Sequence, residues 1–166
     1  MSIENFKDKF LQLDFLNWSN SLRYEDEEPC KLIPCTEEEI FSLETDLNIN
    51  LPKAYKEFLL WGGHEAGGLL EGSDCFFKHI LNIQKWAIDL LNENDFPESL
   101  PKDAFVFYMH QGYEFMFFKI SEGDDPPIYI YNELNNQSLF SKAYLKYSDF
   151  LLIFLEEQAN YLKEMF

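Results

Sequence analysis

No part of this sequence stays apolar for anything near the roughly 20 residues that cross a bilayer, so no membrane span is predicted. A secretory layout is missing too, because Glu4, Lys7, Asp8, Lys9 and Asp14 interrupt the apolar positions between Ile3 and Trp18. Cysteine is scarce. Cys30, Cys35 and Cys75 form an odd set with no paired framework, which argues against a disulfide scaffold and fits reduced thiols in the cytoplasm. Positive charge is also short: 13 Lys and Arg stand against 30 Asp and Glu, a formal net charge of −17. A field of that sign repels nucleic acid phosphates and anionic membranes, so neither is an expected partner. The same field speeds encounter with a basic protein, although acidity also simply serves solubility.

The signatures of catalysis and cofactor binding are absent as well. There is no Gly-x-Ser-x-Gly elbow, phosphate loop or dinucleotide fingerprint, and Gly62-Gly63 with Gly67-Gly68 lacks the Lys-Ser/Thr that a phosphate loop requires. His64, His79 and His110 fall on separate predicted elements, none at i, i+4 from another histidine. Cys30 and Cys35 have no second Cys or His pair to complete four zinc ligands. The run Glu122, Asp124, Asp125 lacks the alternating ligands of a calcium loop and is broken by Pro126-Pro127. The expectation is a non-catalytic protein with no metal and no cofactor.

What is present suits a packed core: 46% apolar residues, 17 Phe and 9 Tyr in 166 residues, a usual size for one domain, here 1–166. Phe6, Phe10, Leu13 and Leu16 behind Ser2 predict an amphipathic helix over 3–18. Residues 19–35, with Glu25 to Glu28 and two prolines, predict a loop. Thr36 and Glu39 form a capping box before the stripe Ile40, Leu43, Leu47, which predicts a helix over 37–47. Pro52 then opens a helix over 52–61 that buries Tyr55, Phe58 and Leu59, with Gly62 as a left-handed cap. After a Gly-rich connection, Cys75 to Ile80 predicts a short strand. Asn82 predicts the cap of a helix whose buried face is Ile83, Trp86, Ala87, Leu90 and Leu91. The pattern then turns to β: Ala104–Met109, Tyr113–Ile120 and Ile128–Tyr131 predict an antiparallel meander, closed by a helix from about Ser148 with Phe154 on its inner side. The fold class is α+β, a central antiparallel β-sheet of four to six strands packed against several helices.

One segment carries a family resemblance: Thr36-x-x-x-Ile40-x-x-x-Glu44-x-x-Leu47-x-x-x-Leu51-Pro52-x-x-Tyr55-Lys56-x-Phe58-Leu59-x-x-x-Gly63. It is similar to the signature of the SUKH superfamily, which includes bacterial toxin-immunity proteins and fungal cell-wall assembly, or glucan-synthesis, regulators. Leu51, Pro52, Tyr55, Phe58, Gly62 and Gly63 are its structural positions, and the similarity extends more loosely over 36–157. Trp61 stands where many members carry asparagine, and the many-glycine hairpin turn is reduced to Gly112.

The resemblance implies a binding domain with no catalytic residue to transfer. Its bacterial branch implies an immunity protein that neutralises a toxin, such as a nuclease, by direct contact; its fungal branch implies a regulatory interaction module. For a basic toxin domain as partner, the exposed carboxylates in turns are the candidate contacts: Glu65, Glu71 and Asp74 in the Gly-rich connection, and Glu122, Asp124 and Asp125 in the sheet turn.

Overall fold

The computed structural model describes residues 2–165. Helix α1 (Ile3–Gln12) starts at Ser2, whose Oγ accepts the Asn5 amide, and buries Ile3, Phe6 and Phe10. The single helix expected over 3–18 is broken at Asp14, which is left-handed (φ 50°), and α2 (Phe15–Ser21) follows. A left-handed residue cannot continue the ladder, so the apolar spacing runs across two helices.

The expected loop over 19–35 ends in strand β1 (Leu32–Ile33). Helix α3 (Glu37–Leu47) begins at the capping box read from the sequence, with both reciprocal bonds made between Thr36 and Glu39. It ends at left-handed Asn48. Helix α4 (Lys53–Gly62) follows Pro52 and buries Ala54, Tyr55, Phe58 and Leu59. Gly62 is not the left-handed cap: it is the last helical residue, and Gly63 beyond it keeps right-handed geometry at φ −67°. The glycines serve close approach instead. A Cβ on Gly63 would lie 2.4 Å from Cys35 Sγ and 2.7 Å from the Leu59 carbonyl oxygen, whereas one on Gly62 would meet only Leu32 Cδ1 at 3.1 Å and Ala66 Cβ at 3.3 Å. Gly63→Ala is therefore expected to lower stability by roughly 1–3 kcal/mol through overpacking. Gly62→Ala stays near wild type, because helix propensity offsets a contact that Leu32 can relieve. Equal melting temperatures for the two variants would contradict this.

Strand β2 (Glu65–Ala66) pairs with β1, Leu32 opposite Ala66 and Ile33 opposite Glu65. The strand expected over Cys75–Ile80 is instead a 3-10 turn at Phe77–His79 leading directly into α5 (Ile80–Glu93), so Asn82 is not its cap. The meander consists of β3 (Ala104–His110), β4 (Glu114–Lys119) and β5 (Ile128–Asn132), and a fourth strand, β6 (Ser141–Tyr144), completes the order β3-β4-β5-β6, all antiparallel. Helix α6 (Tyr147–Glu164) closes the described chain.

Both faces of the sheet are covered, which is why its strands read as near-continuous apolar runs. On one face Phe105, Phe107, Tyr108, Met116, Phe118 and Ile128 share a core with α4 and α6, on which α1 packs in turn; on the other Val106, Met109, Phe115, Phe117 and Tyr131 share one with α5. Phe107 and Tyr108 share a face because the β3–β4 register shifts between Val106 and Tyr108, as at a bulge. The predicted core holds for Tyr55, Phe58, Leu59, Phe105, Phe107, Phe115 and Phe117, which are buried. Two positions differ. Phe154 is only partly buried, and Trp86 is 42% exposed, because α5 needs only Ile83, Ala87, Leu90 and Leu91 to cover the narrow outer face of the sheet.

Trp61 also finds its explanation here. Its ring meets Phe6 and Phe10 edge-on, each at 4.9 Å between centroids. The departure from asparagine thus supplies the platform on which α1 packs, and α1 lies outside the segment that carries the resemblance.

Candidate functional site

Strand β3 is an edge strand, and its outward backbone groups need partners. Gln84 on α5 supplies one set, its amide donating to the Val106 carbonyl (2.6 Å) and its carbonyl accepting the Val106 amide (3.0 Å). The Gly-rich connection supplies the other: the Asp74 amide donates to the Met109 carbonyl (2.8 Å) and the Met109 amide to the Asp74 carbonyl (3.0 Å). These bonds pin Asp74 against the sheet beside α5.

The rest of the connection is held as firmly. Arg23 reaches both carboxylate oxygens of Glu71 at 2.5 and 2.6 Å, and also donates to Cys30 Sγ at 2.9 and 3.1 Å. Gln158 of α6 donates to the Gly68 carbonyl and accepts the Leu70 amide. Leu70 itself is buried in left-handed geometry (φ 62°), a conformation that a surrounding network must impose. The carboxylates therefore sit on a rigid frame.

Two grooves meet at Asp74. One, of about 390 Å³, runs along the connection past Arg23, His64, Glu65, Glu71, Ser73 and His79. The other, of about 360 Å³, is lined by Asp74, Trp86, Asp89, Leu90, Glu93, Met109, Gln111 and Gly112. The second carries three carboxylates and a half-exposed indole, and none of its described lining residues is a lysine or arginine. Such a surface takes a cation: carboxylates bind guanidinium or ammonium by charge-assisted hydrogen bonds, and an indole face adds a cation–π contact.

The six carboxylates nominated from sequence are not one patch. Glu65, Glu71 and Asp74 do line one groove, but Glu65 accepts the Lys31 amide (2.7 Å) and Glu71 is clasped by Arg23. Asp74 faces His79 at 3.4 Å. Glu122, Asp124 and Asp125 lie in the β4–β5 connection and line neither groove. Asp125 accepts the amide (2.9 Å) and hydroxyl (2.6 Å) of Ser148, tying it to the first turn of α6, while Glu122 accepts the Tyr129 hydroxyl. The Asp124 carbonyl accepts the Ala54 amide. Asp125 is thus a helix-capping carboxylate supplied from a distant loop.

Sequence reasoning missed Trp86 as a surface residue, and with it Asp89 and Glu93. One signal was present. Leu81, Trp86 and Ile88 add more apolar residues to α5 than one buried face can hold, and all three are exposed.

The histidines also converge more than their spacing suggested. His110 Nδ1 lies 3.0 Å from Ser73 Oγ, which donates to the Tyr108 hydroxyl (3.2 Å). His64 Nε2 lies 3.0 Å from both Glu39 oxygens, and Cys35, Glu39 and His64 present Sγ, a carboxylate oxygen and an imidazole nitrogen all within 4.8 Å of one another. Hydrogen bonds from Thr36 and His64 hold the Glu39 carboxyl below its ordinary range. Burial, reinforced by the Glu39 charge, pushes the Cys35 thiol up to about 12.

An antiparallel four-stranded sheet with helices on both faces, entered through a helix pair that turns at Leu51-Pro52 and stops at Gly62-Gly63, defines an α+β domain of the SUKH type. The chain belongs to the SMI1/KNR4 family (SUKH-1), whose model matches residues 34–155. No curated protein matches the chain. Among the described residues, no helix is long and apolar enough to cross a membrane.

Proposed function

We propose that this chain is a non-catalytic binding protein of the immunity type, which neutralises a basic toxin domain by seating a lysine or arginine of that domain in the groove between α5 and the β3–β4 turn. The observation that carries this reading is the groove itself: Asp74, Asp89 and Glu93 around a 42%-exposed Trp86 on a chain of net charge −17. Exposed tryptophans and desolvated charge pairs dominate binding energy at protein interfaces, and a field of one sign raises the encounter rate with a partner of the other. The other branch of the family, regulatory modules of cell-wall assembly, would use the same surface for a different basic partner. Gene neighbourhood separates the two readings: finding a toxin gene immediately upstream would support immunity, and finding none would favour the regulatory module.

The test is binding of a basic toxin domain, sought in the genes flanking this one, to wild type and to Trp86→Ala, by calorimetry and by protection of co-expressing cells. The expected result is affinity weaker by about tenfold or more, since interface tryptophans commonly contribute above 1 kcal/mol, and reduced protection. The melting temperature should hardly move, because an exposed side chain contributes little to the core. Full protection and unchanged affinity in Trp86→Ala would remove this groove from the interface.

A further inference from the structure

We propose that Cys35, Glu39 and His64 form a zinc site, with Cys35 Sγ, one Glu39 carboxylate oxygen and His64 Nε2 as protein ligands and water in the fourth position. Cys35 and Glu39 flank the Thr36 cap four residues apart, His64 joins them from beyond α4, and each backbone is fixed by bonds unrelated to a metal. The Cys35 amide donates to the Leu59 carbonyl (2.8 Å) and the His64 amide to the Ile33 carbonyl (3.0 Å), so the two residues are pinned at the same end of the β1–β2 ladder. Glu39 is held by the capping box, in which its Oε2 accepts the Thr36 amide at 2.8 Å, while its Oε1 faces His64 Nε2 at 3.0 Å. The His64 ring rests edge-on against Phe77 at 5.3 Å, which sets its plane.

Gly63 makes the site possible. Any side chain there would occupy the space of the Cys35 sulfur, since its Cβ would stand 2.4 Å from Sγ. The second glycine of the Gly62-Gly63 pair thereby opens the sulfur side of the cluster.

The donor set selects the metal. A thiolate disfavours magnesium and calcium, which take oxygen ligands, whereas thiolate, imidazole and carboxylate together suit zinc. Zinc bonds of about 2.3 Å to sulfur and about 2.0–2.2 Å to nitrogen and oxygen need ligand atoms closer than the 4.8 Å limit of this cluster. His64 and Glu39 have side chains about one-third exposed, at 33% and 36%, and have room to close. Charge also balances: on binding, the Cys35 thiol gives its proton to solvent, and one thiolate and one carboxylate neutralise the dication.

The experiment uses the full reduced chain and Co2+ as the spectroscopic probe for zinc. The expected result is a thiolate-to-cobalt absorption band that saturates at one equivalent, disappears when Zn2+ is added, and is lost in Cys35→Ser but kept in Cys30→Ser. Zinc should raise the melting temperature in a concentration-dependent way that EDTA reverses. His64→Gln removes a ligand from a partly exposed position and is expected to keep the fold while weakening cobalt binding by about tenfold or more, so the test stands even if Cys35→Ser folds poorly. The proposal is overturned by the absence of a thiolate band, by a band that survives in Cys35→Ser, or by equal cobalt affinity in His64→Gln and wild type.

Discussion

Phe118→Ala is expected to lower the stability of the chain by about 3–5 kcal/mol, the range for removing a buried phenylalanine. Phe118 is fully buried where the meander meets the helices. Its ring stacks on Phe105 at 5.4 Å and Phe107 at 5.6 Å, and meets Tyr55 of α4 edge-on at 5.3 Å and Tyr147 of α6 at 6.2 Å. Truncation removes the apolar transfer energy and also leaves a cavity whose walls, two strands and two helices, cannot all move inward. With total stabilities of about 5–15 kcal/mol for such domains, the loss is a large share. At about 2–4 °C per kcal/mol for a chain of this size, the melting temperature should fall by roughly 6–20 °C. Thermal melts that place Phe118→Ala within a degree or two of wild type would mean that this aromatic cluster is not the centre of the core.

The second large effect concerns association. A variant carrying Asp74→Asn, Asp89→Lys and Glu93→Lys should bind the basic toxin domain with an association rate slower by about 10–1,000-fold at low salt, the range that electrostatic steering supplies. The wild-type rate should fall steeply as salt shortens the Debye length from about 10 Å at 0.1 M to about 3 Å at 1 M, and the variant rate should not. Asp89 and Glu93 are one helical turn apart on α5, so the two reversals act on one patch, and Asp74 adjoins them across the groove. Folding should survive: among the described residues Asp89 pairs with Lys85 at 3.4 Å, an exposed ion pair of a kind that contributes little. Glu122→Lys with Asp124→Lys is the control, the same two reversals of charge placed on the β4–β5 connection without the Asp74 neutralisation. Stopped-flow mixing that finds the same salt slope in the groove variant and in wild type would place the interface elsewhere, and loss of steering in the control alone would place it at the sheet turn.

Much of the fold was legible because its signals are local. The capping box at Thr36 and Glu39, Leu51-Pro52 before α4 and the dense aromatic runs of β3 and β4 each depend on a few neighbouring residues, and each formed where expected. The errors came where a local pattern served two masters. Trp86 has the spacing of a core residue, yet the sheet face under α5 is already filled by four smaller side chains. Gly62 has the look of a left-handed cap, yet the glycine that the corner requires is Gly63, and it is required by the sulfur of Cys35, nearly 30 residues earlier. Strands of two residues, such as β1 and β2, carry no periodicity at all.

The candidate sites divide the same way. Sequence by itself determined the acidic character of the chain, the α+β class, the helix pair and its family, because charge adds up regardless of arrangement and caps and periodicities act over a turn or two of chain. Only the tertiary structure decided which carboxylates stand free to meet a partner. Glu71 was spent on Arg23, 48 residues away, and Asp125 on Ser148, 23 residues away. Asp74, Trp86, Asp89 and Glu93 were gathered into one groove by the pairing of a loop with an edge strand. Cys35, Glu39 and His64 came together through the β1–β2 ladder. The physical reason is common to all of these: a side chain's partner is set by long-range backbone pairing, and a single sequence states how many charges and ligands a chain owns but not which of them the fold brings within reach.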